Sequence, residues 1–209
     1  MKKLTVILIL FCFIRPAFGH QPRIVLDTGT LENPTKIEKP EISKAYYAEL
    51  KGAPEYYEIN SETDFLLYLN ILAPDLESAR TDFLAEILFE GVVVFKLDSD
   101  KWEKFYEPFG GDNYLRGPEF EKTARKGIYV IMVSNLDNTG KYALAVGKVE
   151  SFPPMEVLRT FIALPEIKQD FFGKSPLKAY FNFSGLFLLL VLFFLATIMY
   201  IMVRVIRKS

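Results

Sequence analysis

Three groups of residues in this 209-residue chain have the types and spacing to do chemistry. The first is a single histidine, His20, which follows Ala17-Phe18-Gly19, a small-x-small pattern of the kind signal peptidase reads. Cleavage after Gly19 makes His20 the mature N-terminus, where a terminal amine and its own imidazole chelate Cu(II) together. With no second histidine, an acidic side chain would have to complete such a site. The plainer reading is a cleavage site that happens to precede a histidine in a flexible arm. The second group, Asp98-Ser99-Asp100 and Asp137-Asn138, supplies oxygen ligands of the kind Ca²⁺ takes, but neither spacing approaches a calcium loop and both fit turns. The third is a crowd of aromatics, Trp102, Phe105, Tyr106, Phe109 and Tyr114, around Glu107-Pro108-Phe109-Gly110-Gly111-Asp112 and on through Arg116 to Phe120. Rings on a glycine-permitted loop stack on sugars or anchor a protein partner. The plainer reading is that Trp102, Phe105 and Phe109 fold back and plug one end of the sandwich. Trp102, Tyr106, Phe109, Tyr114 and Arg116 are the expected contacts to a protein or glycan.

Nucleophilic catalysis lacks its parts. One histidine near the N-terminus, and no cysteine beyond Cys12, leave neither a Ser-His-Asp triad nor a Cys-His pair to assemble. No phosphate-binding glycine loop and no zinc spacing occur. Glu103 and Glu107 are the carboxylates a glycosidase would use, and their separation decides whether they can. The sequence therefore predicts a binding or accessory module rather than an enzyme. Copper binding through His20 and a carboxylate-based carbohydrate-active enzyme are the alternatives.

The elements that position these residues begin with two hydrophobic ends. Met1-Lys2-Lys3 followed by apolar Leu4 to Ile14 predicts a signal peptide over 1–19, too short to span a bilayer comfortably, and Cys12 leaves with it. Ala179 to Val203 carries no charge, and Gly185 to Val203 spans roughly 29 Å as a helix, close to a hydrocarbon core of about 30 Å. A transmembrane helix over 183–203 and a cytoplasmic tail over 204–209 follow, Arg204, Arg207 and Lys208 obeying the positive-inside rule. No ionisable side chain lies mid-segment, so an ion path through this helix is unsupported. The chain is expected at the cell membrane, single-pass, with its N-terminal domain periplasmic or extracellular. The whole chain has formal charge −1; Lys2, Lys3, Arg15, Arg204, Arg207 and Lys208 account for +6, leaving −7 on the exported part. That argues against nucleic acid and against adsorption on anionic head groups.

Between the ends lie about 155 residues, enough for one domain with a full core. Prolines and alternating charge make 20–45 an extended arm, in which Arg23 to Leu26 could form a short edge strand. From 46 to 150 short apolar runs separated by turn residues predict a mainly β, antiparallel β-sandwich. The clearest pair is Ile128 to Val133 and Tyr142 to Val146, joined by Asn135-Leu136-Asp137-Asn138-Thr139-Gly140. Gly127-Ile128-Tyr129-Val130, the polar turn, and Gly140-Lys141-Tyr142-Ala143-Leu144 resemble the closing strands of the bacterial pre-peptidase C-terminal domain family. Over about 56–146 the resemblance implies a jelly-roll-like accessory domain and brings no catalytic residues. Pro153-Pro154 then opens an amphipathic segment over 153–172, with Val157, Leu158, Phe161, Ile162 and Leu164 on one face and Pro165 ending or kinking it. This segment either lies at the membrane surface or caps the sandwich.

Overall fold

The computed structural model describes residues 20–98 and 101–207. The expected signal peptide, and Ser99 and Asp100 of the first oxygen-rich turn, lie outside the described residues.

The chain forms eleven strands among the described residues: β1 Gln21–Ile24, β2 Thr35–Lys36, β3 Lys44–Lys51, β4 Glu55–Ser61, β5 Phe65–Pro74, β6 Leu84–Phe89, β7 Val92–Leu97, β8 Glu103–Glu107, β9 Asp112–Ala124, β10 Gly127–Ser134 and β11 Thr139–Val146. They make two mixed sheets packed as a sandwich, one ordered β1-β3-β11-β5-β9-β8 and the other β2-β4-β10-β6-β7. Alternation along the strands fills the space between the sheets: Leu67, Leu69 and Ile71 of β5 and Leu144 of β11 face Tyr57, Ile59, Ile87 and Ile131. The Tyr57 and Tyr142 hydroxyls meet across this core at 2.8 Å, each satisfying a group that burial would otherwise strand.

Two parts of the chain are more ordered than their sequence predicts. The arm is divided between the sheets, β1 pairing in parallel with β3 and β2 in parallel with β4. These pairings join segments distant in sequence, so local pattern does not reveal them. The expected aromatic loop is a hairpin, with β8 and β9 in register from Glu103 opposite Arg116 to Glu107 opposite Asp112, and only the tip is loop. In β9 a bulge at Gly117-Pro118 is held by the Asn70 amide, which donates to both carbonyls at 3.1 and 3.0 Å.

Beyond β11, α1 (Pro154–Glu166) starts at Pro154, where a missing N–H costs nothing, and runs through Pro165. It then widens into a π-helical turn, Ile167–Phe171, in which Phe172 N–H donates to the carbonyl five residues back. The segment caps the outer face of the first sheet: Leu164, Ile167, Phe171 and Phe172 are buried, the last three packing against Leu72, Ala143 and Ala145. The predicted apolar stripe is thereby split. Leu164 turns inward, whereas Leu158 and Ile162, with Met155, stay exposed. A short 3-10 turn, Pro176–Tyr180, leads to α2 (Phe183–Ile206), whose 24 residues reach about 36 Å and are apolar enough to cross a membrane. Thr197, a polar side chain in its apolar middle, donates to the Phe193 carbonyl at 2.8 Å and so stays satisfied inside the helix.

Candidate functional site

The densest polar cluster lies where the β8–β9 hairpin tip meets the start of α2. At the tip, the Glu107 carboxylate accepts from the Phe109 and Gly110 amides at 2.7 and 2.6 Å, and the Glu107 carbonyl from the Gly111 amide. Gly111 takes φ +72°, and a Cβ on Gly110 would stand 2.8 Å from that carboxylate, so the Gly-Gly pair is what lets the turn close. Burial pushes the Glu107 carboxyl above the usual range, against the pull of the two amides.

With the amides turned inward, the tip carbonyls point outward and are gripped. Gly110 O accepts from Lys168 Nζ and Asn182 Nδ2; Phe109 O accepts from Ser184 Oγ at 2.6 Å and more weakly from Ser184 N. Asn182 also caps α2, its Oδ1 accepting from Gly185 N. Next along the strand, Asp112 receives the Lys168 ammonium on one oxygen and Lys174 on the other, the latter at 2.8 Å. Side-chain exposure is 3% for Asp112 and 2% for Lys168, so this ion pair is fully buried. The sandwich is thus tied to the first turn of the apolar helix by one hairpin, two lysines and two capping side chains. Beside this clamp, Phe161 of α1 stacks on Phe187 of α2 with ring planes 4° apart.

The five residues expected to meet a partner are divided by this arrangement. Trp102 packs over the Gly117 bulge, where an added Cβ would come within 2.5 Å of its indole, and tilts against Phe83 of the core. Tyr114 is buried, with its hydroxyl 2.8 Å from that of Tyr47 and its ring edge-on to Phe172. Phe109 is half-buried, and its carbonyl belongs to the clamp. Tyr106 is exposed, and the Arg116 guanidinium lies 3.9 Å above the Phe105 ring. The hairpin therefore spends Trp102 and Tyr114 on packing. Asp112, Lys168, Lys174, Asn182 and Ser184 belong to the site without having been expected there. The one readable signal was Asn182-x-x-Gly185 ahead of an apolar run, an N-cap pattern.

The other expected chemistry is dispersed. His20 Nδ1 lies 2.6 Å from Ser43 Oγ, and Ser43 also bonds to the Glu150 carboxyl. Ser43 is 1% exposed, so its hydroxyl is closed off from solvent. A catalytic triad needs the acid on the histidine and the hydroxyl open to substrate. Ser43 instead pins the arm to the start of β3. Burial, with Arg116 adding to it, lowers the His20 pKa to about 4. Among the described residues no group of three or more His, Cys, Asp or Glu is placed to hold a metal ion. Asp137 pairs with Arg80 at 2.8 Å, and Asn138 takes φ 51° in the β10–β11 turn. Glu103 and Glu107 stand at opposite ends of β8. One bonds its own turn and the other faces Arg116 at 3.5 Å.

No family model and no curated protein matches the sequence. Among solved structures, the chain is similar to the pre-peptidase C-terminal domain of a Bacillus anthracis collagenase at 10% identity and TM-score 0.34, over 62% of this chain and 95% of that domain. It is also similar to a β-glucosidase from Paenibacillus barengoltzii at 9% identity and TM-score 0.27, over 63% of this chain and 14% of that enzyme. The resemblance to the pre-peptidase C-terminal domain is weak.

Proposed function

We propose that this chain is a membrane-tethered, non-catalytic binding module that holds a β-sandwich outside the cytoplasm in a fixed attitude to the bilayer. The observation that carries this reading is the clamp. A passive tether would need only a flexible linker, whereas here Asn182 and Ser184 at the head of the apolar helix and Lys168 and Lys174 before it all bond to one hairpin of the sandwich. Met155, Leu158 and Ile162 support it, since they lie exposed on α1, the helix that stacks on Phe187 one turn into α2. At that depth an outward apolar face meets the head-group boundary. Among the described residues Ser43 beside His20 is buried, Glu107 bonds its own turn and Glu103 faces Arg116, which favours binding over catalysis. Arg116 over Phe105 remains the hairpin surface offered to a protein or glycan partner.

Orientation is tested by single cysteines and a membrane-impermeant maleimide on intact spheroplasts. Leu136→Cys, at the exposed tip of the β10–β11 turn, is expected to react and Ser209→Cys to react only after permeabilisation. The reverse pattern contradicts the reading.

A further inference from the structure

Along α2 from the clamp, a cleft of about 550 Å³ opens between the hairpin and the helix. Its polar wall carries Tyr106, Lys174 and Lys178, with Lys168 behind, and its floor is Phe183 and Leu186. Among the described residues no carboxylate lines it. Lys168 and Lys174 share Asp112, whereas Lys178 is exposed and forms no ion pair among the described residues. Lys174 gives one proton to Asp112, leaving two of the three an ammonium carries. Asn182 has none to spare, its amide donating to Gly110 O and Lys178 O. Free donors therefore come from Lys174, Lys178 and the Tyr106 hydroxyl, directly above exposed apolar side chains. The N-terminus of α2 adds positive potential at the same level.

Cations over an apolar floor, at the head of an apolar helix, complement an amphiphile with an anionic head and a hydrocarbon tail. We propose that this cleft binds the head group of one anionic phospholipid of the leaflet facing the sandwich. Lys174 and Lys178 meet the phosphate, Tyr106 donates to it, and an acyl chain runs down Phe183 and Leu186. The charge of −7 on the exported part sets the average field against an anionic surface. At physiological salt, however, screening acts over about 8 Å, so the lysines at the cleft govern a head group lodged there. This inference rests on the tethered reading.

The test uses the full chain in nanodiscs of phosphatidylcholine with a minority of phosphatidylglycerol, released into mild detergent and weighed by native mass spectrometry. One phosphatidylglycerol per chain is expected to be retained in preference to phosphatidylcholine. Charge reversal both removes a basic contact to the head group and opposes it, so Lys178→Glu lowers the preference about tenfold or more. Lys178 is exposed, so the variant keeps the fold, which the fluorescence of the lone tryptophan, Trp102, verifies. Excess inorganic phosphate leaves the lipid in place. Equal retention of the two lipids, an unchanged preference in Lys178→Glu, or displacement by inorganic phosphate each overturns the head-group site. A chain that alkaline carbonate strips from native membranes sinks the tethered reading and this site with it. A carbonate-resistant chain without lipid preference sinks the site alone.

Discussion

Replacing Asp112 by alanine removes the one carboxylate that two ammonium groups share. Lys174 is 31% exposed, so its loss of a partner costs little, about 0–1 kcal/mol. Lys168 is different. At 2% exposure it would keep only the Gly110 carbonyl, leaving an uncompensated charge in the interior, and breaking a buried pair from one side costs about 3–5 kcal/mol. Lys168→Met keeps the apolar stem and leaves Asp112 paired with Lys174, so it costs less. The double variant Asp112→Ala/Lys168→Met removes both buried charges and is expected to be more stable than Asp112→Ala alone. Urea unfolding of the full chain in micelles, followed by Trp102 fluorescence, measures all three. A cost below about 1 kcal/mol for Asp112→Ala, or strictly additive costs in the double variant, refutes the buried-pair argument.

Other consequences follow from single contacts. Gly117→Val should lower stability by about 1–3 kcal/mol in the same assay, because its side chain enters the space of Trp102. Tyr57→Phe should cost roughly 1 kcal/mol by stranding the Tyr142 hydroxyl, while the double Tyr57→Phe/Tyr142→Phe should cost no more than the single, in matched unfolding curves. His20 is lowered to about 4 from 6.5, so the unfolded chain binds a proton between these values that the folded chain excludes. Its stabilising effect is complete above pH 6.5 and is lost as pH falls towards 4, by at most about 3 kcal/mol. Stability measured across that window should fall less in His20→Asn.

What the sequence disclosed depended on range. Strands β10 and β11 were legible as strands, and Asn138 and Gly140 supply positive φ in the connection between them, but the pairing expected of them does not form. β10 pairs with β4 and β6 and β11 with β3 and β5, so the connection crosses from one sheet to the other, a choice that local turn residues do not encode. The apolar helix was legible from length and lack of charge alone. The stripe on α1 was misread in part because two apolar environments compete for one helix: the sheet takes Leu164, and the opposite side keeps Leu158 and Ile162. A periodicity count cannot separate two apolar faces. The clamp was illegible because Asp112 and Lys168 stand 56 residues apart, and nothing local marks either as half of a buried pair. Aromatic crowding drew attention to this hairpin, where Trp102 and Tyr114 pack inward and Tyr106 stays exposed, but it gave no sign of the tip carbonyls and Asp112 that the clamp grips.

The central claim, that the sandwich is held rigidly on its helix, is tested most directly by a distance. Spin labels at Leu136→Cys, on the exposed far turn, and Phe193→Cys, on the outward face of α2, report the sandwich-to-helix geometry in nanodiscs by pulsed electron resonance. Cys12, the native cysteine, is replaced by alanine so that the labelling background is clean. The account predicts a single narrow distance distribution that broadens in Asp112→Ala and in Asn182→Ala/Ser184→Ala. A broad distribution in the unaltered chain, or a narrow one that survives loss of the clamp, would contradict it.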